Sequence, residues 1–157
     1  MLYIPGYTKI IEGVPHTRNY VGGEIISPEI YCYGIYECRA RFATQNGSWP
    51  AFWLFGGDDI SCNNGGGYRN EIDIAEQSAF YTGDRMGHTI HWYYPDENCL
   101  GQSAQEDSEK YGWSGYYWHI YKLVWTPTSI RYYIDDNLRH TVVNNGQKWT
   151  YLTNFNS

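Results

Sequence analysis

The sequence predicts an all-β fold, a sandwich or jelly roll, and three observations carry that prediction. Hydrophobicity alternates with a period of two along much of the chain, the alternating runs recur at near-regular spacing between turn-forming clusters, and no stretch holds an apolar stripe of helical period for more than about two turns. The 157 residues leave room for one core, because a domain of ordinary size takes roughly 150. Residues 1–157 are therefore read as a single domain, without internal repeat or linker.

The strands follow in order. From Tyr31 to Phe42 the alternation puts Tyr36, Cys38, Ala40 and Phe42 on one face and Glu37, Arg39 and Arg41 on the other, the pattern of a half-buried strand. Ser48 to Phe55 splits into Trp49, Ala51, Trp53 and Phe55 against Pro50, Phe52 and Leu54. Asn70 to Glu76, Gly87 to Tyr94, Trp118 to Thr126, Ser129 to Ile134 and Leu138 to Val143 complete the set, the last two joined by Asp135-Asp136-Asn137, a polar cluster with the chemistry of a hairpin turn. Gly56 to Arg69 and Pro95 to Tyr111 are Gly/Asn-rich or acid-rich and read as long loops, which in a compact domain are usually functional.

Composition narrows the partners. Seventeen Tyr and 7 Trp against 5 Phe favour aromatics with polar tips, which suit surfaces that stack on ligands while staying wet. A formal net charge of -6 lacks the basic footprint that phosphate binding needs, so nucleic acid is excluded as a partner. No run approaches the ~20 apolar residues of a spanning helix, so no membrane is expected. Met1-Leu-Tyr-Ile-Pro-Gly-Tyr has neither basic nor apolar signal regions. Four cysteines offer no metal spacing; Cys32 and Cys38, if on one strand, lie ~20 Å apart, too far to bond, while Cys62 and Cys99 in loop-like stretches either pair or stay free.

Chemistry concentrates in Asn70-Glu-Ile-Asp-Ile-Ala-Glu76. On a strand Glu71 and Asp73 share one face while Ile72 and Ile74 pack on the other, and Glu76, five residues from Glu71, falls on the wrong side. One extra residue in a β-bulge near Ala75 restores it, and bulges often re-aim side chains beside active sites. Retaining glycoside hydrolysis needs two such carboxyls, a nucleophile and an acid that turns base, ~5–5.5 Å apart. The neighbouring charge of Asp73 would keep Glu76 protonated. Such a three-acid pattern arises by chance in about one chain in five of this composition, so the acids alone decide nothing. A short helix capped by Asn70 is a second reading. A metal site with His88 and His91 is a third, disfavoured because residues three apart on a strand face opposite ways. Trp49 and Trp53 tip the balance: ~13 Å apart on one face, they suit sugar rings at separate subsites of a groove.

At these residues the chain resembles glycoside hydrolase family 16, the jelly-roll endo-glycanases that include laminarinases, agarases, κ-carrageenases and lichenases. Tyr33-Gly-Ile-Tyr-Glu-Cys-Arg-Ala-Arg41 is similar to the family's "yGxxExRak" strand, Gly47-Ser-Trp-Pro-Ala-Phe-Trp-Leu54 to its "gxWPAfWl" block, and Glu71-Ile-Asp-Ile-Ala-Glu76 to its catalytic strand in the bulged ExDxxE form. Tyr121-Lys-Leu-Val-Trp125 with Ile130-Arg-Tyr-Tyr-Ile-Asp135 resembles the "yxxeWtpxxIxfyvDg" hairpin. The resemblance implies a concanavalin A-like jelly roll with Glu71 as nucleophile, Glu76 as acid/base, Asp73 positioning both, and Trp49, Trp53 and His91 facing the substrate. It implies no cofactor, although the family often binds calcium away from the groove, for which no ligand set is legible. It also implies secretion and action as a monomer on a polysaccharide. The likeness runs from about Tyr20 to Val143, and family domains are normally longer, so opening strands before Tyr20 and a closing segment after Asn144 are expected to be missing and the sandwich incomplete.

The expected activity is retaining endo-hydrolysis of a β-linked polysaccharide, β-1,3-glucan before sulfated galactans because the chain is acidic. The rivals are a non-catalytic carbohydrate-binding jelly roll, a hydrolase of agarose- or carrageenan-type galactans, and a transglycosylase. Three crowded acids that repel one another argue against binding alone.

Overall fold

The structure, a computed structural model, describes residues 2–29, 31–45, 47–55, 71–77, 85–94, 102–111 and 115–144. Among them are ten strands and no helix, and the chain divides into two compact units, Met1–Ile30 and Tyr31–Ser157.

The first unit is a hairpin of β1 (Leu2–Ile11) and β2 (Val14–Val21). Its two turn residues, Glu12 and Gly13, both take positive φ, 50° and 79°, as a two-residue turn matched to strand twist requires. Strands are thus present before Tyr20, in the stretch where the sequence pattern shows none. Of their described side chains, Ile10, Ile11, Val14 and Tyr20 are all exposed, so the periodicity that reveals the other strands is missing here.

The second unit holds two four-stranded antiparallel sheets. One has the order β10-β9-β8-β3, from β3 (Gly34–Ala40), β8 (His119–Trp125), β9 (Ser129–Ile134) and β10 (Asn137–Val143). The other has the order β4-β5-β6-β7, from β4 (Ala51–Phe55), β5 (Glu71–Glu76), β6 (Arg85–Tyr94) and β7 (Gln102–Tyr111). All seven strands expected in this unit are present, and the helical reading of residues 70–76 falls, since Glu71–Glu76 is a strand.

The core lies between the sheets. Ile72, Ile74 and Ile90 cluster with Leu123, Trp125, Ile130, Tyr132 and Val142, all at most 2% exposed, and Phe52 and Leu54 close the edge as the alternation predicted. Burying each such aliphatic side chain contributes about 1.5–3 kcal/mol before entropy is counted. Tyr132 ties the sheets together, stacking on His88 with ring centroids 5.0 Å apart and donating its hydroxyl to the Thr89 carbonyl at 3.4 Å.

One further expectation is corrected. The stretch Pro95 to Tyr111 is not all loop, because β7 pairs with β6 residue for residue from Arg85–Tyr111 to Tyr94–Gln102. Gln-Ser-Ala-Gln-Glu-Asp-Ser-Glu-Lys-Tyr has neither apolar alternation nor high strand propensity. Among the described residues β7 ends its sheet, a position that calls for no apolar alternation in the sequence. Cys32 and Cys38 are free thiols; the Gly56–Arg69 loop and any Cys62–Cys99 pairing lie outside the described residues.

Candidate active site

The acids of β5 are set by its pairing. Glu71 lies opposite Phe55 of β4 and His91 of β6, and Asp73 lies opposite Trp53 and Thr89. The register then slips: between Asp73–Thr89 and Glu76–Gly87, two residues of β5, Ile74 and Ala75, oppose the single residue His88. This is the β-bulge expected near Ala75, and β4 answers it with a shift between Phe52 and Trp53. Ile74 and Ala75 are both buried, so the slip is spent inside the core, and Glu76 returns to the face of Glu71 and Asp73 opposite Ala51.

Asp73 is 1% exposed, whereas Glu71 and Glu76 are half-buried. The Asp73 carboxylate meets His91 Nε2 at 3.2 Å. Burial, and then the charge and hydrogen bond of Asp73, push the Glu71 carboxyl up to about 7, with His91 pulling the other way and Glu76 adding to the rise. The sequence reading directs the charge of Asp73 at Glu76; the marked shift falls on Glu71, whose carboxyl lies beside that of Asp73. Donor atoms of Glu71, Asp73 and His91 lie within 4.8 Å of one another, a spacing a cation could bridge. Burial first, and then this closeness of the acids, raise the proton affinity of Glu71.

The aromatic residues stand on the same side. Trp53 and Phe55, cross-strand partners of Asp73 and Glu71, meet edge to face at 5.4 Å. Trp49 is 56% exposed, and its indole N–H donates to the Glu76 carboxylate. His91 joins the acids, while His88 points the other way into the core, its Nδ1 2.7 Å from the Ile74 carbonyl at the bulge. All six residues singled out from the sequence thus meet on one face of one sheet.

Sequence reasoning missed the support beneath Glu76. Gln77 is 3% exposed, and its N–H donates to the Pro50 carbonyl at 3.1 Å. Gly115 closes over it: a Cβ there would come within 2.1 Å of Gln77 Oε1 and 3.0 Å of Phe42 Cβ, so any larger residue must displace the Gln77 amide. Thr89, buried opposite Asp73, is also part of this face. The alternation Gly87, Thr89, His91 carries the one signal for Thr89; Gly115 and Gln77 have none, because their contact joins distant segments.

Residues 12–156 match the family model described as glycosyl hydrolases family 16, reaching beyond both ends of the core read from motifs. The chain belongs to glycosyl hydrolases family 16. Among curated family relatives, the keratan-sulfate endo-1,4-beta-galactosidase of Sphingobacterium multivorum is 29% identical over 150 residues, 90% of this chain and 33% of that protein. A beta-glucanase of Rhodothermus marinus is 29% identical over 134 residues, 81% of this chain and 44% of its own. The chain thus spans less than half the length of these two relatives. Among solved structures, a variant of LamA from Z. galactanivorans, crystallised with laminaritriose and laminaritetraose, superposes with a TM-score of 0.63 at 24% identity, over 89% of this chain and 58% of that one. The family-16 jelly roll is therefore the fold of this chain.

Proposed function

We propose that this chain is a retaining endo-hydrolase of a β-linked polysaccharide, β-1,3-glucan first, with Glu71 as nucleophile and Glu76 as acid/base. One observation carries the reading: a bulge in a central strand delivers three carboxyl groups to one face, beside aromatic side chains. Glu71 attacks the anomeric carbon as Glu76 protonates the departing glycosidic oxygen, leaving a glycosyl ester on Glu71. Glu76, now a carboxylate, takes a proton from water, whose oxygen displaces Glu71 and restores the configuration. Asp73, whose carboxylate lies within 4.8 Å of the Glu71 carboxyl and 3.2 Å from His91, holds the nucleophile in place. Trp49, Trp53 and His91 contact the sugar rings. No cofactor is needed, and a polymer too large to enter a cell implies work outside it, as a monomer.

The beta-glucanase relative supports a glucan, and the chain's charge of -6 favours a neutral polymer over a sulfated one. Reducing-sugar release from laminarin by the wild type, lost in Glu71→Gln, is the test. Absence of release from a panel of β-glucans and galactans overturns the proposal. Product sizing with added acceptor sugar separates hydrolysis from transglycosylation.

A further inference from the structure

We infer that Trp49 is a positioning residue for Glu76, setting its proton affinity and direction through the indole N–H, in addition to any stacking on sugar. The inference rests on the reading of Glu76 as acid/base. Three observations lead to it. The Trp49 indole N–H donates to the Glu76 carboxylate, so the polar edge of the ring is committed to the acid. The residue remains 56% exposed, so the ring still opens to solvent while its N–H is bound. The backbone after each residue is tied together as well, because the Gln77 N–H donates to the Pro50 carbonyl at 3.1 Å, fixing the residue that follows Glu76 to the one that follows Trp49.

The geometry has a direct chemical consequence. Glu76 emerges from a bulge, where the ladder that normally directs a strand side chain is interrupted. A donor on the neighbouring strand's approach supplies the direction that regular pairing would have given. It also favours the charged carboxylate over the neutral acid, because an indole N–H donates and never accepts. The other titratable groups on this face are Glu71 and Asp73 on the same strand and His91 on β6; the described part of β4 adds none, and β7 sets Asp107 and Glu109 opposite Thr89 and Gly87. Negative charge on the neighbouring acids of β5 favours the neutral form of Glu76, and the Trp49 N–H favours the carboxylate. The balance lets Glu76 give up the proton to the leaving group and accept one back from water.

The test separates this role from stacking. Trp49→Phe keeps an aromatic face and removes the N–H; Trp49→Ala removes both. In the pH profile of kcat/KM on laminarin, Trp49→Phe moves the alkaline limb upward by about one unit, since a hydrogen bond to a charged group is worth about that much. Trp49→Ala shows the same shift with a further rise in KM. A limb that stays in place in Trp49→Phe while KM rises makes Trp49 a stacking platform only and overturns the inference. An independent arm needs no turnover: the Trp49 indole N–H resonance of the wild type should titrate with Glu76 and lose that titration in Glu76→Gln. A resonance that ignores both pH and Glu76→Gln overturns the inference, whether or not the protein hydrolyses glucan. Lack of activity with an intact titration removes the hydrolase reading and leaves the contact standing.

Discussion

The two sheets of the sandwich solve different problems with the same hairpin units. In the sheet of β3, β8, β9 and β10 the inner strands pair without a slip, and the one register shift falls on β10, at the edge, between Leu138 and His140. In the sheet of β4 to β7 the slip sits on β5, against both neighbours. Burial follows suit: β8 alternates between buried and half-buried positions, while four consecutive residues of β5, Ile72 to Ala75, are buried. The first sheet is built to fill a core. The second gives up regular pairing at its centre to aim a carboxyl, and places acids side by side where repulsion works against folding. Stability and chemistry are thus assigned to opposite sheets, and substitutions should tell them apart.

The largest effect expected is chemical. Glu71→Gln should lower kcat on laminarin by roughly 10³–10⁵-fold, as loss of a nucleophile does, with an unchanged circular dichroism spectrum. The matching change in the other sheet is Trp125→Ala, which empties the largest fully buried side chain of the core. It should cost about 3–5 kcal/mol in urea unfolding. Whatever activity the folded fraction keeps should stay within a few-fold of wild type. If Glu71→Gln unfolds the protein, or Trp125→Ala leaves its stability intact, the division between the sheets fails.

A smaller effect tests the acids as a cost to folding. The Glu71 carboxyl, raised from 4.5 to about 7 in the folded chain, binds its proton more tightly there than in the unfolded one. Its stabilising contribution is complete below about pH 4.5 and is lost as pH rises through about 7. Glu71→Gln removes that dependence, so its unfolding free energy should be flat across this window relative to wild type. At pH 8 the variant should be the more stable by about 1 kcal/mol, a figure reduced because the group is half open to solvent. Thermal melts across pH 4 to 8 decide it; parallel curves for both proteins would show that the repulsion is not felt in folding.

How much of this was legible follows the same division. The strands of the core sheet, β3 and β8 to β10, declare themselves by alternation, because residues such as Leu123, Trp125, Ile130 and Tyr132 face the core on a fixed period. The bulge was legible for a chemical reason, since Glu76 belongs with Glu71 and Asp73 only if the period breaks. Strands without apolar alternation, such as β7 with its run of polar residues, leave no trace in the pattern, and neither does the β1–β2 hairpin. The packing of Gly115 on Gln77 and the bond from Trp49 to Glu76 join segments far apart in sequence, so they are visible only once the chain has folded.

The smallest effect concerns the turn that closes the core sheet. Asp135 and Asp136 both take positive φ, 49° and 60°, between β9 and β10. The two are held differently. The Asp135 carboxylate accepts the Ile120 N–H at 2.9 Å and lies 2.6 Å from His119 Nδ1, contacts that outweigh its burial and hold its pKa below the ordinary value. Asp136 is exposed, and its partner among the described residues is Lys122, which has Glu37 as a second acid at 3.9 Å. The hairpin pattern that this segment resembles carries glycine where Asp136 stands, and glycine takes positive φ without steric cost. Asp136→Gly trades an exposed ion pair of small worth and some unfolded-chain entropy for relief of that backbone. It should stabilise by about 0.5 kcal/mol, raising Tm by about 1–2 °C. Asp135→Gly, at the same turn and with the same backbone relief, should instead destabilise by about 1–2 kcal/mol, because the Ile120 N–H and His119 lose their acceptor. Melting curves of the two variants that moved together would mean backbone strain, rather than the side-chain contacts of Asp135, governs the turn.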